Sequence, residues 1–421
     1  MKEDYQVSVL DNKLTVASAK LPHSSIVAIN ILVKVGSRHE NKKLSGISHV
    51  IEHMSFKGTK TRSAIQIAEE FENLGAHFNA YTSRETTVFF VVGLKEHYQK
   101  LLNLLTDIVC ESVYDKKELE KEKGVILQEI AQSNDNPDEH VFEELQKLCY
   151  PKHSMGRPII GSQENVKAFT KSDILSFVEE NYTPQNIIVS VAGNLEHEYV
   201  LKTVSQLFQS KPNGNTSSLD EPSFAGGFKL IERDLDQVHL VLSFEGESYH
   251  SKDYYTAHML SSILGDGMSS RLFVEVREKL GLVYAIQSFA SPYCNAGTFN
   301  VFAGTDVNNA MLVLEKIAEE LDKIKSNVNE FELQRAKNRF KSSLMMSREI
   351  TSQRGSELAN DIATYGRYIE CDEVISKLEN ITVADICNLA DKTFSRNFAF
   401  SAIGKVSEKI DESKLSNLFV K

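Results

Sequence analysis

The chain repeats itself once. Thr170-x-x-Asp-Ile174, followed by Tyr182, Asn186 and Gly193, returns as Thr382-x-x-Asp-Ile386 with Phe394, Asn397 and Gly404, at an offset of 212 residues that drops to 211 after one deletion. Met54-Ser55 and Met268-Ser269 match at an offset of 214, as do Glu118-Leu119 and Glu332-Leu333. Self-similarity spread along 421 residues, a length beyond which a single core stops growing, means two copies of one folding unit. Ser210 to Gly227 (SKPNGNTSSLDEPSFAGG) is the one long stretch rich in Pro, Gly, Ser and Asn. It reads as a linker. The expected organisation is a first domain over residues 1–210, a linker over 211–227 and a second, homologous domain over 228–421.

The pattern within the first copy mixes both kinds of element. Ser25 to Val35 (SIVAINILVKV) is β-branched-rich and reads as a buried strand, and Ala76 to Glu85 with Thr86 to Val92 reads as two strands joined near Ser83-Arg84. Helices are expected over Ser63–Leu74, His97–Ser112, from Lys116 to about Asn134, over Glu139–Leu148 and over Glu198–Phe208. The fold class that follows is α+β: two homologous αβ domains, each a mostly antiparallel sheet with helices packed on one face.

Composition excludes several roles. A net charge of -11 argues against nucleic acid as a partner and would favour basic ligands if acidic groups line a cavity. The five cysteines are odd in number and form no C-x-x-C pair, so neither a disulfide framework nor a cysteine metal site is indicated. No run of 18 apolar residues occurs, so no transmembrane segment is expected, and Met1-Lys-Glu-Asp is acidic where a signal or transit peptide needs basic residues. The expected compartment is the cytoplasm.

One stretch carries chemistry: His49-Val-Ile-Glu52-His53. Two histidines four apart on a helix project from one face and can hold one metal ion, and Glu52 flanks that face where a carboxylate can take a proton from water. A catalytic zinc takes a third protein ligand. Glu129 supplies it from the helix beginning at Lys116, where Val125, Ile126, Leu127 and Ile130 surround it and an unpaired carboxylate would be costly. Glu122, two turns earlier on the same face, can orient a ligand histidine, while Glu118 and Glu120 read as a solvated face. At the 214 offset His49 becomes Ile263, Glu52 Asp266, His53 Gly267, Glu122 Ala336 and Glu129 Ser343. The second copy loses the whole group together, which marks these residues as a chemical unit rather than packing. His23, His39, His97, His140, His197 and His250 stand alone and read as surface residues.

These motifs, with FNAYTSRETTVFF, Ser269-Ser-Arg-Leu-Phe273 and Arg277-Glu-Lys-Leu-Gly-Leu-Val-Tyr284, resemble the pitrilysin-type zinc peptidases, in the short-chain branch of the mitochondrial processing peptidase and its bacterial relatives. The resemblance covers nearly the whole chain. It implies one zinc ion per chain held by His49, His53 and Glu129, Glu52 as general base, and Glu122 as a carboxylate supporting the ligands. Arg277 and Tyr284 match the family's pair that binds the substrate main chain and stabilises the oxyanion. Because that pair serves a neighbouring subunit's zinc site, the resemblance implies a homodimer enclosing a chamber. Phe78-Asn79-Ala80-Tyr81 matches an edge strand onto which a peptide substrate adds, although Phe78 also reads as core. Gly156 to Gly161 looks like the family's usual turn. The implied activity is endoproteolysis of short or unfolded peptides, with basic ones favoured. The competing reading is a non-catalytic binding or scaffold subunit of the same family.

Overall fold

The computed structural model describes residues 4–209, 219–407 and 409–419, so the part of the expected linker over 211–218 lies outside the described residues. Along the chain run β1 (Tyr5–Val9), β2 (Thr15–Lys20), β3 (Ile26–Val33), α1 (Ile47–Ser55), α2 (Ala64–Asn73), β4 (His77–Thr82), β5 (Thr87–Leu94), α3 (Tyr98–Cys110), α4 (Lys116–Asp135) and α5 (Pro137–Cys149). After them come α6 (Gln163–Ala168), α7 (Lys171–Asn181), β6 (Ile187–Gly193), α8 (His197–Phe208), β7 (Gly227–Glu232), β8 (Val238–Glu245) and α9 (Tyr254–Leu264). The chain then forms β9 (Val283–Pro292), β10 (Gly297–Thr305), α10 (Ala310–Lys323), α11 (Glu330–Arg348), α12 (Thr351–Tyr365), α13 (Cys371–Glu379), α14 (Val383–Phe394), β11 (Phe398–Gly404) and α15 (Glu412–Phe419).

Two compact units result, and they interleave in sequence. The first comprises Met1–Ile130, Pro158–Leu219 and Leu344–Glu370; the second comprises Ala131–Arg157, Asp220–Ser343 and Cys371–Lys421. The first sheet has the order β1-β2-β6-β3-β5-β4, with β2 and β6 parallel and the other pairs antiparallel. The second has the order β7-β11-β8-β10-β9, with β7 and β11 parallel and the rest antiparallel. That is the first sheet without β1. The repeat is visible down to its caps: Thr170 and Asp173 close a capping box at the start of α7, and Thr382 and Asp385 close its twin at α14.

The α+β class holds, but the expectation that helices lie on one face of each sheet does not. In the first unit Val27, Ile29, Ile31 and Val33 of β3 pack with α1, α3 and α8 on one face. The other face, with Leu32, Ile188, Ala192, Ala17 and Ala19, is covered by Leu358, Ala359 and Ile362 of α12. Both faces of β3 are therefore dry, which is why it reads as a continuous apolar run. The one polar interruption, Asn30, is 2 % exposed and anchors the contact: its amide donates to Ser190 Oγ (3.3 Å), whose hydroxyl donates to the Gly355 carbonyl of α12 (2.7 Å). In the second unit α5 plays the same part, packing Val141, Leu145 and Cys149 against Val241, Phe302, Ala399 and Ile403, while Phe394 of α14 meets Phe244 of β8. Each such buried aliphatic side chain contributes about 1.5–3 kcal/mol, so neither sheet can leave its second face bare.

Two histidines expected at the surface are enclosed. His197 is 5 % exposed, hydrogen-bonded to Ser8 Oγ (2.8 Å) and Ser18 Oγ (2.9 Å), and His39 is half-buried, its Nδ1 accepting from the Gly36 amide.

Candidate metal centre

The motif helix α1 is held by its two sides. Ile47, Val50, Ile51 and Met54 are fully buried in the first unit's core, so His49, Glu52 and His53 are turned to the opposite face. The helix starts at Gly46, whose φ of +99° only glycine adopts without strain. Its first amides are satisfied by a carboxylate: Glu40 accepts from Gly46 N (2.7 Å) and Ser48 N (2.8 Å), an anion where the helix dipole favours one.

The second wall is α4, anchored by Leu119, Ile126 and Ile130. It brings Glu129 to the histidines: Oε2 lies 3.5 Å from His53 Nε2 and 3.8 Å from His49 Nε2. One donor atom from each of the three residues falls within 4.8 Å of the others, the one such group among the described residues. Burial, and then the neighbouring His53, push His49 down to about 4, so its imidazole is neutral and has a lone pair to give. Glu122 is 6 % exposed and receives contacts on both oxygens: Oε2 is 3.2 Å from His53 Nδ1 and Oε1 is 2.7 Å from Lys57 Nζ. With Nδ1 engaged, His53 directs Nε2 toward the Glu129 side, the arrangement in which a carboxylate fixes a metal-binding imidazole. Two nitrogens and one oxygen converging from a half-buried face, with a supporting carboxylate behind, are a donor set that suits zinc.

Glu52 sits beside this group. Burial raises its pKa, Thr82 and His53 oppose that, and Glu129 adds to it. Its Oε2 accepts a 2.5 Å hydrogen bond from the Thr82 hydroxyl at the end of β4. Neither Thr82 nor Lys57 is singled out by the sequence. Thr82 shares its strand face with Phe78 and Ala80, and Lys57 falls one helical turn after His53, but what each reaches is set by tertiary packing.

β4 is an edge of the first sheet, pairing with β5 alone among the described strands. Phe78 stacks on Phe71 with centroids 4.2 Å apart, so its side chain is core as well, while Asn79 and Tyr81 are exposed and Ala80 is buried. Arg277 and Tyr284 belong to the second unit, where the structure brings them together with the guanidinium 5.9 Å from the Tyr284 ring centre. Tyr284 is 76 % exposed. Where the second unit would repeat the donor group, Asp266 instead binds the Arg339 guanidinium through its carboxylate (3.1 Å) and its carbonyl, and Gly267 leaves the space that guanidinium fills.

Comparison with known proteins agrees with this asymmetry. Residues 15–163 match the insulinase model of peptidase family M16, and residues 168–340 match the model described as the M16 inactive domain. The chain belongs to peptidase family M16. A Rickettsia felis protein named as an uncharacterized zinc protease is 42% identical over 405 residues, 96% of this chain and 98% of that one. The beta subunit of the mitochondrial-processing peptidase of Saccharomyces cerevisiae is 31% identical over 96% of this chain and 91% of its own. A protease from Helicobacter pylori shares the fold, with a TM-score of 0.89 at 23% identity over 95% of this chain and 99% of that chain. No helix among the described residues is long and apolar enough to cross a membrane.

Proposed function

We propose that this M16 chain is a zinc endopeptidase that cleaves extended or unfolded peptides. The observation that carries the reading is the convergence of His49, His53 and Glu129 beside the buried carboxylate of Glu52. These three residues would hold the ion. When bound, zinc supplies Lewis acidity, lowering the pKa of a water molecule and polarising a carbonyl.

The remaining steps belong to the chain's own groups. Glu52 takes the proton of the attacking water and returns it to the departing amine, which its burial favours by making the carboxyl a better proton acceptor. Glu122 keeps His53 in one orientation. The free edge of β4 from Phe78 to Tyr81 offers main-chain donors and acceptors to an extended peptide, so affinity needs little side-chain information. Arg277 and Tyr284 would donate to the oxyanion and the peptide backbone. In this reading they act on the site of a second copy, in a homodimer, and the acidic net charge favours basic peptides.

Metal content and cleavage of quenched fluorescent peptides test this directly. The purified chain is expected to carry one zinc and to cut a basic peptide in a chelator-sensitive manner, and Glu52→Gln should lower kcat by about 10²–10⁴-fold with zinc retained. Unchanged activity in Glu52→Gln refutes the mechanism, and a metal-free, inactive chain favours a scaffold subunit. Mixing Glu52→Gln with Arg277→Ala chains restores activity only if the pair works in trans.

A further inference from the structure

Glu52 has one hydrogen-bond partner among the described residues, and it comes from the strand that the proposed function gives to the substrate. The hydroxyl of Thr82 donates to Glu52 Oε2 at 2.5 Å, a length typical of a donor held by an ionised carboxylate. Thr82 is the last residue of β4. Its side chain lies on the face of Phe78 and Ala80, toward α1, whereas Tyr81 points the other way and reaches Asn360 of α12. The main chain at Thr82 is fixed by pairing with Thr87, and the turn beyond is closed by Ser83, whose amide donates to the Thr86 carbonyl (2.8 Å) and whose hydroxyl accepts from the Thr86 amide (2.9 Å).

A glutamate on a helix has three rotatable bonds, and nothing on α1 itself restrains this one. The tie through Oε2 to Thr82 limits where the carboxylate, and with it Oε1, can point. We propose that Thr82 is a positioning residue for Glu52, so that the strand seating the peptide also sets the direction of the base. A peptide added to β4 would then be registered against the base through a single strand, without any loop in between. Misplacing a catalytic group by about 1 Å costs on the order of 10²-fold in rate. This role rests on the peptidase reading, which its test must separate from it.

Two measurements do so. In peptide cleavage, Thr82→Val should lower kcat by about 10- to 100-fold with KM and zinc content unchanged, and Thr82→Ser should restore kcat to within about twofold. In the metal-free protein, urea unfolding gives a readout independent of activity. Thr82→Val should shift the midpoint clearly with Glu52 present and much less in a Glu52→Ala background, because the tie is already gone. If valine is not accommodated, Thr82→Ala carries both comparisons. Equal kcat for Thr82→Val and wild type, failure of serine to restore it, or equal shifts in the two backgrounds would each overturn the role. A wild type that cleaves no peptide overturns the peptidase reading and this role with it, whereas an active wild type with an equally active Thr82→Val overturns this role alone.

Discussion

Glu122 stands between His53 and Lys57, with one carboxylate oxygen 3.2 Å from the imidazole Nδ1 and the other 2.7 Å from the ammonium. Glu122 is almost wholly enclosed, so removing either neighbour leaves it badly placed. Glu122→Gln should weaken zinc binding by about 10- to 100-fold, and Lys57→Met should weaken it less, in the same direction. Competition against a chromogenic chelator measures both, and equal affinities for all three proteins would contradict the arrangement.

Stripping the metal should lower stability without unfolding the chain. The ligands come from α1 and α4, each independently anchored in the apolar core through Val50, Ile51, Met54, Leu119, Ile126 and Ile130. The loss should follow mass action, about 4 kcal/mol when free zinc stands a thousandfold above its Kd. Circular dichroism should keep its helical signature after chelation while Tm falls, and readdition of zinc should restore Tm.

Gly46 and Gly161 touch backbone to backbone. A Cβ on Gly161 would meet the Ser45 carbonyl oxygen at 2.5 Å and the Gly46 Cα at 2.8 Å, at a φ of +79° that disfavours any side chain. Gly161→Ala should therefore cost about 1–3 kcal/mol and displace the start of α1, weakening zinc binding as well. Gly75→Ala is the control: its φ is also positive, at +62°, but a Cβ there meets nothing within 4 Å. Urea unfolding and zinc titration of the two variants make the comparison.

Asp361 on α12 gives the fold a pH dependence. Burial pushes its pKa from 3.8 up to about 7; the Ile369 amide it accepts from (3.0 Å) opposes this, Glu357 adds to it, and Arg348 and Arg354 oppose it. The folded chain keeps a proton there that the unfolded chain sheds near its ordinary pKa. The contribution is complete below about pH 4 and is lost as pH rises through 7, at no more than about 1.4 kcal/mol per pH unit. Asp361→Asn removes that component. Its urea midpoint should fall less than that of the wild type between about pH 5 and 8, and parallel profiles would contradict the assignment.

The sequence made the site legible because its donors follow helical spacing. His49 and His53 four apart, and Glu122 and Glu129 seven apart, each fall on one face by period alone. The missing residues in the second copy gave a contrast that a single domain would lack. β3 announced its burial on both faces by a run interrupted only at Asn30, yet what covers the second face was hidden. The α12 face that meets the sheet, Gly355, Leu358, Ala359 and Ile362, follows the helical period, but that period says only that the helix has an apolar face and not that Leu32, Ile188, Ala192, Ala17 and Ala19 lie beneath it. Thr82 was hidden for a related reason, since its partner lies 30 residues away on another element.

The exchange of α5 and α12 bears on when this chain can fold. During synthesis the first sheet is complete once β6 emerges, but its reverse face stays wet until residues 344–370 follow, more than 150 residues later. Ile188 and Leu32 wait exposed through that interval. α5, made long before β8 and β11, waits as well. A fragment ending at the linker would lack the covering helix of its sheet and carry a spare one. The two copies of the repeat are thus committed to ripen together on the ribosome, and a cut between them should yield pieces that aggregate apart and fold only when coexpressed.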